Sequence, residues 1–139
     1  MSLQVTDAPS EADRKAVLDG LIAFNRSVLG ALDVPPVPFA ALWRDTAGAP
    51  AGGAIARSWG GWMFIELLHL PQALRGRGVG RKVMAAVEAE ARARACVGVY
   101  LDTFSFQARP FYEKLGYTVF GTLEKMPFGH DRFWLAKRF

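Results

Sequence analysis

Between Leu74 and Lys82 the chain reads Arg75-Gly76-Arg77-Gly78-Val79-Gly80-Arg81, three glycines interleaved with arginines. Glycine has no Cβ, so backbone N-H groups can close on an anion there, and the dipole of a following helix adds partial positive charge. Phosphate binding is the chemistry that such a stretch suggests, although a plain tight turn would use the same residues. Two phosphate motifs can be tested directly. The mononucleotide pattern G-x-x-x-x-G-K-[ST] and the dinucleotide pattern G-x-G-x-x-G both require glycine where Arg81 stands. What remains is R-x-x-G-x-G, from Arg75 through Gly80.

The surrounding charge fits an anion. The chain carries a net charge of +4, unevenly placed. Residues 75 to 94 hold six bases (Arg75, Arg77, Arg81, Lys82, Arg92, Arg94) against Glu88 and Glu90, whereas residues 1 to 33 hold five acids and three bases. An anionic ligand is therefore favoured near the middle of the chain. Nucleic acid, which wants a broader basic face, is disfavoured but left open. Glu66 is an acid in the otherwise apolar run Trp62 to Leu70, so it is either a working carboxylate or an outward-facing ion-pair partner. Cys96 is the only cysteine. It can form no internal disulfide and has no companion at metal-ligand spacing, so no metal site is expected.

These residues need elements to position them. Ser10 and Asp13 resemble a capping box, and Val17, Leu18, Leu21, Ile22, Val28 and Leu29 recur at helical spacing, which predicts a helix over about Ser10 to Leu29. From Pro35 to Leu70 short runs alternate with turn residues, predicting a three-stranded antiparallel meander of Phe39 to Arg44, Gly53 to Trp59 and Trp62 to Leu70. After the glycine loop, Val79, Val83, Val87, Ala91 and Ala95 form one stripe of a helix whose Glu88/Arg92 and Glu90/Arg94 pairs lie four residues apart. Val97 to Phe104 reads as a buried strand. Pro110 and Gly116 bracket a short helix, and Tyr117 to Leu123 and Arg132 to Lys137 supply two further strands. The fold class is α/β (α+β), a mixed sheet with helices on its faces, in one domain over 1 to 139. The first fifteen residues lack an apolar signal core, and Glu66, His69 and Pro71 interrupt the most hydrophobic stretch. A cytoplasmic protein without a membrane span is the expectation.

With strand, R-x-x-G-x-G loop and long helix in this order, the sequence resembles the GNAT superfamily of N-acetyltransferases, whose signature is [QR]-x-x-G-x-[GA]. Phe111-Tyr112-Glu113-Lys114-Leu115-Gly116-Tyr117 is similar to that family's F-Y-x-x-x-G-[FY] segment. The resemblance implies a mostly antiparallel sheet with helices on both faces, acetyl-coenzyme A as cosubstrate, and an amine acceptor, small-molecule or peptidyl. It implies a pyrophosphate held by Arg75, Gly76, Arg77, Gly78, Val79, Gly80 and Arg81, and a pantetheine arm paired with the main chain of Leu68, His69 and Leu70. A branched side chain at Gly78 or Gly80 would intrude on that pyrophosphate. Many members carry an asparagine after the strand that follows the long helix; here Gln107 is the nearest amide.

Acetylating an amine requires a neutral nucleophile and a protonated leaving thiolate, and a lysine-type amine has a pKa of about 10.4. The resemblance nominates Glu66 as base, with His69 or water as alternatives, and Tyr112 as the acid for the sulfur, with Phe111 as its apolar anchor. Phe24, Asn25, Phe106, His130 and Trp134 are nominated for the acceptor pocket. A coenzyme A-binding module without catalysis stays open as the second reading, and so does a homodimer.

Overall fold

The computed structural model describes residues 1–139, in two compact units, Met1–Val34 and Pro35–Phe139. The first unit is built on helix α1 (Glu11–Leu29). Ser10 caps it: its hydroxyl accepts from the Asp13 amide at 3.0 Å, and the Asp13 carboxylate accepts from the Ser10 amide at 2.8 Å. This is the reciprocal capping box predicted from the two residue types. The Ser10 amide, and next its hydroxyl, hold the Asp13 carboxyl below its ordinary range. Gly30, at φ 56°, ends the helix.

The second unit contains strands β1 (Val37–Arg44), β2 (Pro50–Trp59) and β3 (Trp62–His69), helix α2 (Val79–Ala93), strand β4 (Gly98–Phe104), helix α3 (Arg109–Lys114), and strands β5 (Thr118–Glu124) and β6 (Asp131–Arg138). The six strands make one sheet in the order β1-β2-β3-β4-β6-β5. The turns explain the meander. Asp45 Oδ1 accepts from the amides of Ala47 and Ala49, both at 2.9 Å, between β1 and β2. Gly60 and Gly61, at φ 61° and 85°, make the two-residue reversal between β2 and β3, where a side chain would resist positive φ. All pairings are antiparallel except β3 with β4, for which α2 is the crossover. This is the mixed, mostly antiparallel sheet with helices that the sequence predicts. No helix is long and apolar enough to cross a membrane.

One face of the sheet packs on α2. Val83, Val87 and Ala91 of the predicted stripe are buried with Ala54 and Ala56 of β2, Met63 and Ile65 of β3, Val99 and Leu101 of β4, and Leu135 of β6. Alternation along β4 sends Tyr100, Asp102 and Phe104 to the opposite, half-buried face. There Tyr100 stacks on Phe64 of β3 with ring centroids 4.7 Å apart.

Two details of α2 differ from the sequence reading. The helix stops at Ala93, and Ala95 leaves the stripe, exposed and at φ 58°. Glu88 is not a surface partner of Arg92. It lies on the flank of the stripe and is buried, accepting from the Tyr117 hydroxyl at 3.0 Å and from Lys137 Nζ at 2.9 and 3.2 Å. The other predicted pair does form, Arg94 Nε to Glu90 at 2.8 Å. The same guanidinium also donates to the Val37 and Pro38 carbonyls at 2.8 and 3.1 Å, tying α2 to the edge strand β1.

Glu88→Ala would leave the Lys137 ammonium and Tyr117 hydroxyl without their acceptor. It should therefore cost about 2 kcal/mol of stability, read as a lowered urea midpoint. Glu88→Gln, which keeps one acceptor oxygen, should cost less.

Candidate active site

Strands β3 and β4 run side by side only as far as Ile65 opposite Leu101, although β3 continues to His69 and β4 to Phe104. A cavity of about 1010 Å³ opens where they part, lined by both strand ends, the glycine loop, the start of α2, and α3. Beyond Ile65 the edge of β3 toward β4 has no strand partner, so its amides and carbonyls are open to an extended ligand. Pairing of β3 with β2 steps from Ala56/Ile65 to Ile55/Leu67, which makes Glu66 the extra residue of a bulge. Bulges re-aim side chains, and here Glu66 lines the cavity while its carboxylate accepts from Arg57 Nη1.

The loop's glycines serve different purposes. Gly76 and Gly78 both have φ 72°, and a Cβ on either would meet nothing within 4 Å. Within the protein their positive φ is what favours glycine, and Gly78 forms the N-cap of α2 with no side chain satisfying the helix's first amides. Those unpartnered N-H groups at Val79, Gly80 and Arg81 are the anion-binding feature expected at a helix start. Gly80 differs. A Cβ there would lie 3.0 Å from Phe111 Cζ and 3.3 Å from Leu70 Cδ1, so a side chain at Gly80 would point into the contact between α2 and α3. A substitution at Gly80 would thus also meet a packing conflict within the protein.

Most of the nominated residues converge. Leu68, His69, Leu70, Arg75, Gly76, Gly78, Val79, Gly80, Arg81, Phe106, Gln107, Phe111, Tyr112 and Glu66 all line the one cavity. Arg75 is partly committed to the loop itself, Nε donating to the Leu70 carbonyl at 3.0 Å. Gln107 Oε1 accepts from the Thr103 hydroxyl at 3.0 Å and the Phe104 amide at 2.9 Å, which leaves its NH₂ group to donate elsewhere. Arg77 is exposed and outside the lining. His130 and Trp134 also lie outside it. His130 stands edge-on to Phe106 at 4.8 Å, and Trp134 lies beneath the Arg132 guanidinium at 4.9 Å. Phe24 and Asn25 belong to α1, in the other unit.

Tyr112 sits on α3, 5% exposed, edge-on to Phe111 at 5.2 Å and to Tyr117 at 6.1 Å. Burial, and secondarily the charge of Asp102, push its hydroxyl up to about 12, so it keeps its proton throughout the neutral range. Asp102 and Arg132, which also line the cavity, were not singled out from the sequence. The signal for Asp102 was available, since it is an acid in a strand of apolar residues just as Glu66 is.

Residues 4–117 match the acetyltransferase (GNAT) family. The chain belongs to this family: it is an N-acetyltransferase, and its cosubstrate is acetyl-coenzyme A. It is 34% identical to an acetyltransferase of Agrobacterium fabrum (strain C58) over 139 residues, all of both chains. A crystal structure described as an acetyltransferase from Agrobacterium tumefaciens superposes with a TM-score of 0.92 at 33% identity, covering 100% of each chain. The blasticidin-S acetyltransferase of Streptomyces morookaense is 33% identical over 91 residues, 65% of this chain and 67% of that one.

Because the folded protein holds the Tyr112 proton above the ordinary value of 10.0, the unfolded chain releases it first as pH rises. Stability tied to this group is complete below pH 10 and lost between there and about 12. The difference in phenolate absorbance between wild type and Tyr112→Phe should therefore appear only toward the top of that window. A wild-type excess of phenolate fully developed at its lower end would contradict the burial.

Proposed function

We propose that the whole chain, 1–139, acts as one functional domain that transfers acetyl directly from acetyl-coenzyme A to the amine of a small molecule. The observation that carries this reading is the shared cavity. Its one wall has the unpartnered amides of the α2 start, its floor has the unpaired edge of β3, and Glu66 and Tyr112 both reach it. Support for a single functional domain comes from the family match, which runs through both compact units. A small-molecule acceptor is supported by the relative that acetylates blasticidin S.

In this reading the pyrophosphate lies on the helix start, and pantetheine extends along Leu68 to Leu70 as an added strand. The acceptor nitrogen, once neutral, attacks the thioester carbonyl carbon. The new C-N bond forms, the C-S bond breaks, and the nitrogen gives up a proton while the sulfur gains one. Glu66, braced by Arg57, takes the proton from the amine directly or through water. Tyr112 serves the sulfur. Its hydroxyl stays protonated at neutral pH, so it is always available to donate to the developing thiolate.

Release of free thiol across a broad panel of amines tests the reading, and no acceptor-dependent release by folded protein would return the chain to a binding role. With an active acceptor, Tyr112→Phe keeps the ring and should lower kcat about 10²-fold to 10⁴-fold, with cofactor binding little changed. Glu66→Gln should lose most activity at low pH and regain part of it as the free amine deprotonates unaided. An equal loss at every pH would instead mark Glu66 as holding the acceptor in place.

A further inference from the structure

Asp102 is the one carboxylate of the cavity that neither the glycine loop nor the Glu66/Tyr112 pair uses. It projects from β4 on the same face as Tyr100 and Phe104, with its side chain 18% exposed. Arg132 of β6 donates to it twice, from Nε at 2.9 Å and from Nη2 at 2.6 Å, and both bonds end on Oδ1. The guanidinium carbon itself lies 5.4 Å from the centroid of the Phe104 ring and 4.9 Å from that of Trp134. The carboxylate is therefore fixed in direction, and Oδ2 takes no part in the brace.

Its position relative to the chemistry is equally defined. The parallel register ends at Ile65 opposite Leu101, so Glu66 and Asp102 are the next residue on each strand, at the mouth of the gap. The charge of Asp102 reaches Tyr112 strongly enough to help hold the phenol proton. Asp102 and Tyr112 line the same cavity. In direct transfer the sulfur must meet that hydroxyl and the attacking nitrogen must meet the carbon bonded to the sulfur. The surface beside Asp102 is apolar: Phe106, 55% exposed, lines the cavity and stacks on Phe104 at 5.3 Å.

We infer that Asp102, braced on one oxygen by Arg132, holds the ammonium of the acceptor beside the thioester, and that the acceptor is a cationic primary amine carried on an apolar body packed against the exposed Phe106 ring. The inference rests on the proposed direct transfer and adds the class of acceptor. A charge-assisted hydrogen bond in a partly buried site is strong enough to select the cation, and the exposed Phe106 ring rewards an apolar frame over a flexible polyamine.

The test compares benzylamine, a cation at neutral pH, with aniline, which has a similar ring and is neutral there. Asp102→Asn keeps the shape and removes the charge. It should lower kcat/KM for benzylamine about 10-fold to 100-fold, the range of one hydrogen bond to a charged group, while changing aniline little. The stabilisation of the variant by acetyl-coenzyme A should match wild type, which reports folding and cofactor binding independently. Arg132→Lys, which keeps a cation but loses the fork, should show the same charge-selective loss to a smaller degree, and carries the test if Asp102→Asn does not fold. Equal losses for both amines, or no loss for either, would overturn the inference while leaving acetyl transfer standing. If wild type released thiol with neither these nor any other amine, the transfer reading and this inference would both fall.

Discussion

One parallel strand pair governs this molecule. In a sheet otherwise antiparallel, β3 and β4 must be joined by a crossover, and α2 is that crossover. The connection brings the start of α2 back to the end of β3, so unsatisfied helix amides and an open strand edge meet in one place. Had the pairing continued to the strand ends, β4 would have covered the edge and there would be no cavity. The site is thus a by-product of where hydrogen bonding between two strands stops, and the side chains in it are placed by strand position more than by loop conformation.

Elements encoded by short-range patterns were legible in the sequence. Helix α2, its glycine-rich lead, the Gly60-Gly61 reversal and the Ser10/Asp13 cap each depend on residues a few positions apart, and each appears with boundaries shifted by only a residue or two. Features that depend on distant partners were not legible. Glu88 finds Tyr117 and Lys137, 29 and 49 residues away, and nothing near Glu88 announces them. Gly80 looked like its neighbours until Phe111 was brought against it. Much of the candidate site could be nominated because acids and glycines are conspicuous in apolar surroundings. His130 precedes β6 and Trp134 lies in its middle, and for either aromatic packing and binding look alike in one dimension.

Charge in this protein is handled by bracing. Glu66 is held by Arg57, Asp102 by Arg132, and Glu88 by Lys137 and Tyr117. None of the buried side-chain nitrogens and oxygens lacks a partner. Such pairs contribute little net stability when compared with apolar residues of the same size, but they fix direction. For a cavity in which nitrogen, carbon and sulfur must line up, direction is the scarcer commodity.

The Arg94 clamp bears on how the chain reaches this state. Pairing of β1 with β2 is local and needs only the Asp45 turn, whereas the bond from Arg94 to the Val37 carbonyl spans 57 residues. Closing a loop of that length costs roughly 2 kcal/mol more entropy than closing a hairpin. The geometry of this bond depends on β3 and α2, which lie between the two residues. The start of the sheet's outer edge is therefore held by a side chain reaching across from the end of a helix. Arg94 thus occupies backbone acceptors at the sheet's edge that another extended chain would otherwise be able to pair with.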